Sequence, residues 1–80
     1  MPTRRWHLTF PEDLVQEPIV YRLVRDYDLV INLRRADVDH EVGWILLEVK
    51  GENAQLDGGR RYLEDVGVTV SDAGGDVLLG

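Results

Sequence analysis

Apolar and polar residues alternate from Arg5 to Phe10, with Trp6, Leu8 and Phe10 on one side and Arg5, His7 and Thr9 on the other. That period of two predicts a half-buried strand. Pro11 ends it, because proline has no N–H to give to a ladder. Glu12 to Gln16 is short and carries no clear period. Pro18 stands where a helix can begin, since its missing N–H would go unpaired in the first turn anyway. Glu17 beside it suits the positive end of the helix dipole. Val20, Leu23, Val24 and Tyr27 follow at i, i+3, i+4 and i+7, one helical stripe that predicts a helix over 18–27.

A second strand is predicted over 29–38, with Leu29, Ile31 and Leu33 pointing one way and Val30, Asn32 and Arg34 the other. Asp37 to Val42 is polar and carries a turn. Gly43 to Lys50 is the third strand, with Ile45, Leu47 and Val49 on one face and Trp44, Leu46 and Glu48 on the other. Two strands joined by a short polar loop form a hairpin. Asn53 is placed to cap a second helix, in which Leu56, Leu63 and Val66 recur near helical spacing. Gly58 and Gly59 sit inside it at a cost of about 1 kcal/mol each against alanine, a cost offset if the helix approaches the sheet closely. Gly67 marks a left-handed C-cap. Val68 to Ser71 is a fourth, short strand. The stretch from Ala73 to Gly80 is glycine-rich, with Val77-Leu78-Leu79 as an extra edge strand or a loose tail.

The order is therefore β-α-β-β-α-β. Right-handed crossovers turn that order into a four-stranded antiparallel sheet with both helices on one face. The fold class is α+β, a ferredoxin-like plait in a single domain spanning residues 1–80. One sheet face is left uncovered. By alternation it carries His7, Thr9, Val30, Asn32, Arg34, Trp44, Leu46, Glu48 and Thr69. Val30, Trp44 and Leu46 stand out there, because exposed apolar groups clustered on neighbouring strands mark a binding or dimer surface. The plainer alternatives are a single exposed tryptophan or a strand shifted by one residue. Asn32 lies mid-face although asparagine is depleted in strands. Its amide offers donors and acceptors that suit the carboxylate or ammonium of an amino acid; a bond to a neighbour or to water is the simpler account. Arg34 and Arg35 could meet a carboxylate or phosphate ligand, although pairing with neighbouring acids such as Glu48 is the commoner arrangement.

Composition narrows the classes. The chain has 80 residues, 44% hydrophobic and 30% charged, which is globular rather than disordered. At this size a domain buries only about 60% of its unfolded surface, so it gains from dimerisation. The net charge of −6, from 15 acids against 9 bases, argues against nucleic acid and against an anionic membrane surface. No apolar run approaches the ~20 residues of a membrane span, and the N-terminus has no signal-like apolar region, so a cytoplasmic location is expected. Cysteine is absent, which removes disulfides, thiolate metal sites and a cysteine nucleophile. His7 and His40 are the only histidines, Ser71 is the only serine, and no nucleophile elbow or phosphate-binding glycine loop is present. No catalytic residue, metal or cofactor is expected; the chain reads as a non-enzyme.

The stretch Val30-Ile31-Asn32-Leu33-Arg34-Arg35-Ala36-Asp37-Val38 resembles the NIL domain family, named for an Asn-Ile-Leu run on its second strand, followed after one residue by Ala or Gly and, two further on, by Ile or Val. Asn32, Ala36 and Val38 match, Leu33 is a conservative match, and Arg34 departs, placing a guanidinium where an apolar residue is usual. Phe10-Pro11, Glu17-Pro18-Ile19-Val20, Glu48-Val49-Lys50-Gly51 and the run from Tyr62 to Val70 are similar to the family in order and spacing, from about residue 5 to residue 73. The resemblance implies a ferredoxin-like, ACT-like domain. It implies the company of methionine-importer ATPases, whose paired C-terminal domains bind methionine and inhibit transport, or of ferredoxin fusions, or a stand-alone life. This chain carries neither nucleotide-binding motifs nor ferredoxin cysteines. The expectation is a homodimeric regulatory domain that senses methionine or a related sulfur amino acid. Asn32 contacts the polar end of the ligand, with Val30, Arg34, Trp44 and Leu46 around it. The alternative is a ligand-free interaction module for a transporter or a sulfur-metabolism enzyme, without nucleic acid and without membrane insertion.

Overall fold

In the computed structural model, residues 1–14, 17–38 and 43–73 are described. The alternation at the start of the chain forms β1 (Thr3–Phe10), and a single 3₁₀ turn, Glu12–Leu14, follows it. Then come α1 (Ile19–Tyr27), β2 (Val30–Val38), β3 (Gly43–Lys50), α2 (Asn53–Val66) and β4 (Thr69–Asp72). The four strands make one sheet in the order β2-β3-β1-β4, and all three pairings are antiparallel. β1 and β2 therefore run parallel and flank β3, so α1 must cross over β3; α2 likewise crosses over β1 between β3 and β4. This is the ferredoxin-like plait expected from the order of elements. The loop at 39–42 and the segment Val77-Leu78-Leu79 lie outside the described residues.

The core lies between the sheet and the two helices. Trp6, Leu8 and Phe10 of β1 and Leu47 and Val49 of β3 meet Ile19 and Leu23 of α1, Leu56 and Leu63 of α2, and Leu29, Val68 and Val70. Each fully buried leucine contributes roughly 1.5–3 kcal/mol relative to an exposed one. The buried line on α1 is Ile19 and Leu23, with Val20 and Tyr27 packed beside it. The inward face therefore begins one residue earlier than the stripe started from Val20.

Element ends show where local chemistry acts. α1 begins at Ile19 with Pro18 at the cap position. It closes on Asp28, which takes a left-handed conformation with φ 54°, tolerated by aspartate because its short side chain can bond locally. The cap of α2 is Glu52, not Asn53: the Glu52 N–H donates to Gln55 Oε1 at 3.1 Å, the reach-back arm of a capping box. Gly67 ends α2 with φ 107°, its N–H bonded to the Leu63 and Glu64 carbonyls, as the sequence predicts. β4 runs one residue later than predicted.

Gly58 and Gly59 do permit a close approach, but to α1 and to Leu29, just ahead of β2, rather than to the body of the sheet. A Cβ on Gly59 would stand 2.9 Å from Leu23 Cδ1 and 3.0 Å from Leu29 Cδ1, and one on Gly58 would stand 3.2 Å from the Tyr27 ring. Ion pairs pin the outside of α2. Arg4 of β1 reaches Asp57 at 2.8 Å, and Arg60 reaches Asp72 of β4 at 3.0 Å. At the end of α1, Arg25 grips Asp26 through two hydrogen bonds of 2.8 and 3.4 Å. That grip holds the Asp26 carboxyl below its ordinary value. The Arg25 guanidinium is pushed up by Asp26 and then by Tyr21.

The uncovered sheet face as a candidate site

Register fixes which residues share the uncovered face, because directly paired residues on antiparallel strands project to the same side. Arg5 pairs with Glu48, His7 with Leu46 and Thr9 with Trp44. On the far side of β3, Val30 pairs with Lys50 and Asn32 with Glu48. On the near side of β1, His7 pairs with Ser71 and Thr9 with Thr69. Side-chain contacts agree with this placement. The His7 and Trp44 rings stack with centroids 5.1 Å apart and planes at 20°, and Arg5 Nε approaches Glu48 Oε2 at 3.4 Å.

A break in β2 interrupts the alternation. The ladder passes from Leu33–Leu47 directly to Arg35–Leu46, leaving Arg34 as the extra residue of a β-bulge. Before the bulge, Val30 and Asn32 face outward; after it, Arg35 and Asp37 do, while Ala36 pairs with Ile45 on the helix side. Strict alternation places Arg34 on the open face. The bulge gives it that side by another route, since its Nη1 lies 4.0 Å from Glu48 Oε2.

The five residues singled out from the sequence are all accessible but do not form one cluster. Val30 is 60% exposed, Asn32 and Arg34 are exposed, and Trp44 and Leu46 are half-buried. Asn32, Arg34 and Leu46 surround Glu48. Val30 and Trp44 lie at opposite ends of the face, because Val30 pairs with Lys50, six residues and about 20 Å along β3 from Trp44. The apolar wall is thus split, and the middle of the face is polar. Arg5 and Glu48 complete that middle. Alternation alone could place both there, but their meeting needs the β1–β3 register.

The face is also electrostatically distinct. Arg5, Arg34, Arg35 and Lys50 stand against Glu48 and Asp37, four cations to two carboxylates among its described residues, a net +2 on a chain whose total is −6. Leu33 adds an apolar group at the margin: it pairs with buried Leu47 on the helix side, yet is 58% exposed. Nine residues of α1 span only about 13 Å, so α1 cannot cover a nine-residue strand of roughly 30 Å. Among the described residues no group of three or more His, Cys, Asp or Glu could hold a metal ion, and no helix is long and apolar enough to cross a membrane.

Comparison with known proteins places these features in a family. A model described as the NIL domain matches residues 4–72. Among solved structures, the crystal structure of the C-terminal domain of an ABC transporter/ATP-binding protein from Enterococcus faecalis is similar with a TM-score of 0.77 at 16% identity, covering 91% of this chain and 86% of that one. An uncharacterized protein conserved in bacteria, DUF2179 from Eubacterium ventriosum, is similar with a TM-score of 0.56 at 14% identity, covering 91% of this chain and 100% of that one. At these identities the likeness shows the fold. No curated protein matches.

Proposed function

Because this chain belongs to the NIL domain family, matched over residues 4–72, we propose that it is a non-catalytic, cytoplasmic regulatory module whose homodimer senses methionine or a related sulfur amino acid. The observation that carries this reading is the sheet face left bare by two helices, with Asn32 exposed at its middle on the asparagine of the family motif. Ligand would bind where two such faces meet, with Asn32 on its polar head and apolar residues along its side chain. The split wall is compatible with this. A two-fold axis lying between the sheets, at right angles to the strands, sets the Val30 end of one copy against the Trp44 end of the other. Each of two equivalent sites then takes one apolar end from each copy, with Leu46 and Arg34 toward the middle. Ligand would act by favouring one dimer geometry over another, which requires different affinity for the two.

Calorimetry with methionine, homocysteine and cysteine tests this, on protein shown by sedimentation to be dimeric. No heat at millimolar ligand refutes the sensing role. A second reading is supported by the net +2 of the open face in an acidic chain: a ligand-free docking module for an acidic surface of a transporter or sulfur-metabolism enzyme. Asn32→Ala separates the two. Under the first reading it weakens ligand binding and leaves the dimer intact. Under the second, assembly fails with Trp44→Ala and is indifferent to Asn32.

A further inference from the structure

We propose that Glu48 and Arg34, seated beside Asn32 with Arg5 behind them, form a receptor for the zwitterionic head of a free α-amino acid: Glu48 takes the ammonium and the Arg34 guanidinium takes the carboxylate. This rests on the amino-acid reading above and assigns its polar contacts to Glu48, outside the family motif, and to Arg34, the position at which this chain departs from it.

Three features of the cluster lead there. First, two guanidiniums share a single carboxylate oxygen. Arg5 Nε lies 3.4 Å and Arg34 Nη1 4.0 Å from Glu48 Oε2, while Glu48 Oε1 has no hydrogen-bond partner among the described residues. The cluster therefore holds one positive charge in excess and one carboxylate oxygen to spare. Second, both contacts are loose. Charge-assisted N–H···O bonds settle at about 2.7–2.9 Å, and this molecule makes such bonds elsewhere: Arg4 to Asp57 and Arg25 to Asp26 are both 2.8 Å. Arg34 is by comparison uncommitted. It is also the extra residue of the bulge, a device that re-aims a side chain away from the regular ladder. Third, Asn32 pairs with Glu48 across the strands, is exposed, and its amide has no partner among the described residues.

The ligand class follows from the spacing of charges. In an α-amino acid the ammonium and the carboxylate sit on one carbon, so its receptor needs an anion and a cation side by side. Arg34 and Glu48 supply that pair, separated by 4.0 Å. An isolated carboxylate or phosphate would meet the guanidinium but face repulsion from Glu48, and an isolated amine would suffer the converse. The zwitterion satisfies both, and the Asn32 amide can donate to its carboxylate or accept from its ammonium. Val30 on β2 and Leu46 on β3 each lie one same-face step, about 7 Å, from Asn32 and Glu48. They leave the ligand side chain an apolar path in either direction.

The test uses the full chain and three ligands: methionine, N-acetylmethionine, which lacks the ammonium, and methionine methyl ester, which lacks the carboxylate. Affinities are measured for the parent protein, Glu48→Gln, Arg34→Met and the control Arg61→Gln on α2, with folding checked by urea unfolding. Each blocked ligand should bind the parent about tenfold or more weakly than methionine, the scale of losing one hydrogen bond to a charged group. Glu48→Gln should weaken methionine to a similar degree and, by relieving repulsion, tighten N-acetylmethionine; Arg34→Met should weaken methionine and tighten the ester. The proposal is overturned if folded Glu48→Gln and Arg34→Met bind methionine within about twofold of the parent, or if the blocked ligands bind as well as methionine. If methionine does not bind the parent but another proteinogenic amino acid does, with the same dependence on Glu48 and Arg34, the sulfur preference falls and the head-group receptor stands. If no amino acid binds, both fall.

Discussion

Replacing Gly59 with alanine probes the contact between the two helices directly. The added Cβ would stand 2.9 Å from Leu23 Cδ1 and 3.0 Å from Leu29 Cδ1, where packed carbons prefer about 3.5–4.0 Å. Leu23 and Leu29 are 0% and 3% exposed, so neither methyl can retreat without moving its own neighbours. Overpacking of this kind costs about 1–3 kcal/mol, while alanine recovers about 1 kcal/mol of helix propensity. The balance is a loss of about 1 kcal/mol. Gly58→Ala is the matched control. Its Cβ meets only the Tyr27 ring, at 3.2 and 3.3 Å, and that ring is half-buried and can tilt outward. Propensity wins there, and the variant should gain about 0.5 kcal/mol. Thermal unfolding at one fixed protein concentration should therefore place the two adjacent substitutions on opposite sides of the parent, on the order of 5–10 °C apart for a domain of this size. A Gly59→Ala protein as stable as the parent would refute the close approach of α2 to α1.

Other consequences are open to measurement. Gly67→Ala forces a Cβ onto a φ of 107° and should cost about 1–2 kcal/mol, read as a lower urea midpoint with an unchanged slope. Asp26 should titrate by NMR below the ordinary carboxylate value, and Arg25→Gln should return it upward, because the Arg25 hydrogen bonds are the main cause of the depression. A folded pKa that is depressed gives stability present above the unfolded value of 3.8 and lost as pH falls through the folded value, so the Arg25→Gln variant should lack that part of the acid-side slope. If two net-positive faces pair, salt should tighten the dimer in sedimentation as the Debye length falls from about 10 Å at ~0.1 M to about 3 Å at ~1 M. A dimer that loosens with salt would place the pairing on another surface.

Much of the plait is legible in the sequence because each element carries its own signal. β3 is bounded by Gly43 and Lys50 in both descriptions, and Gly67 ends α2 where a glycine C-cap is expected. Signals that need a second element are weaker. Glu52 is not a standard cap residue, and only its three-residue spacing to Gln55 hints at the reciprocal bond found there. The glycine pair announces a close approach without saying to what, since helix and sheet are equally available to a stripe read in isolation. Within the candidate site, the accessibility of Asn32 and the Arg34–Glu48 contact follow from alternation and charge. The separation of Val30 from Trp44 and the arrival of Arg5 beside Glu48 depend on registers that one-dimensional periodicity does not contain. The bulge is hidden for a related reason: Leu33-Arg34-Arg35-Ala36 holds two adjacent arginines, so either can be the extra residue without breaking the pattern on its side.

That bulge bears on how far the molecule can grow. β2 lies at the rim of the sheet and is long, with Val30 and Leu33 exposed along it. A flat strand of that kind is a template on which further strands can add without limit, the opening step of ribbon-like aggregation. Arg34 interrupts the template near its midpoint. It twists the strand, takes one residue out of the regular succession of N–H and C=O groups, and brings two neighbouring cations to the rim, where an identical strand laid alongside would meet like charge. If the domain pairs through its open face as proposed, this interruption keeps the assembly finite, and loss of Arg34 would be felt first as turbidity in storage.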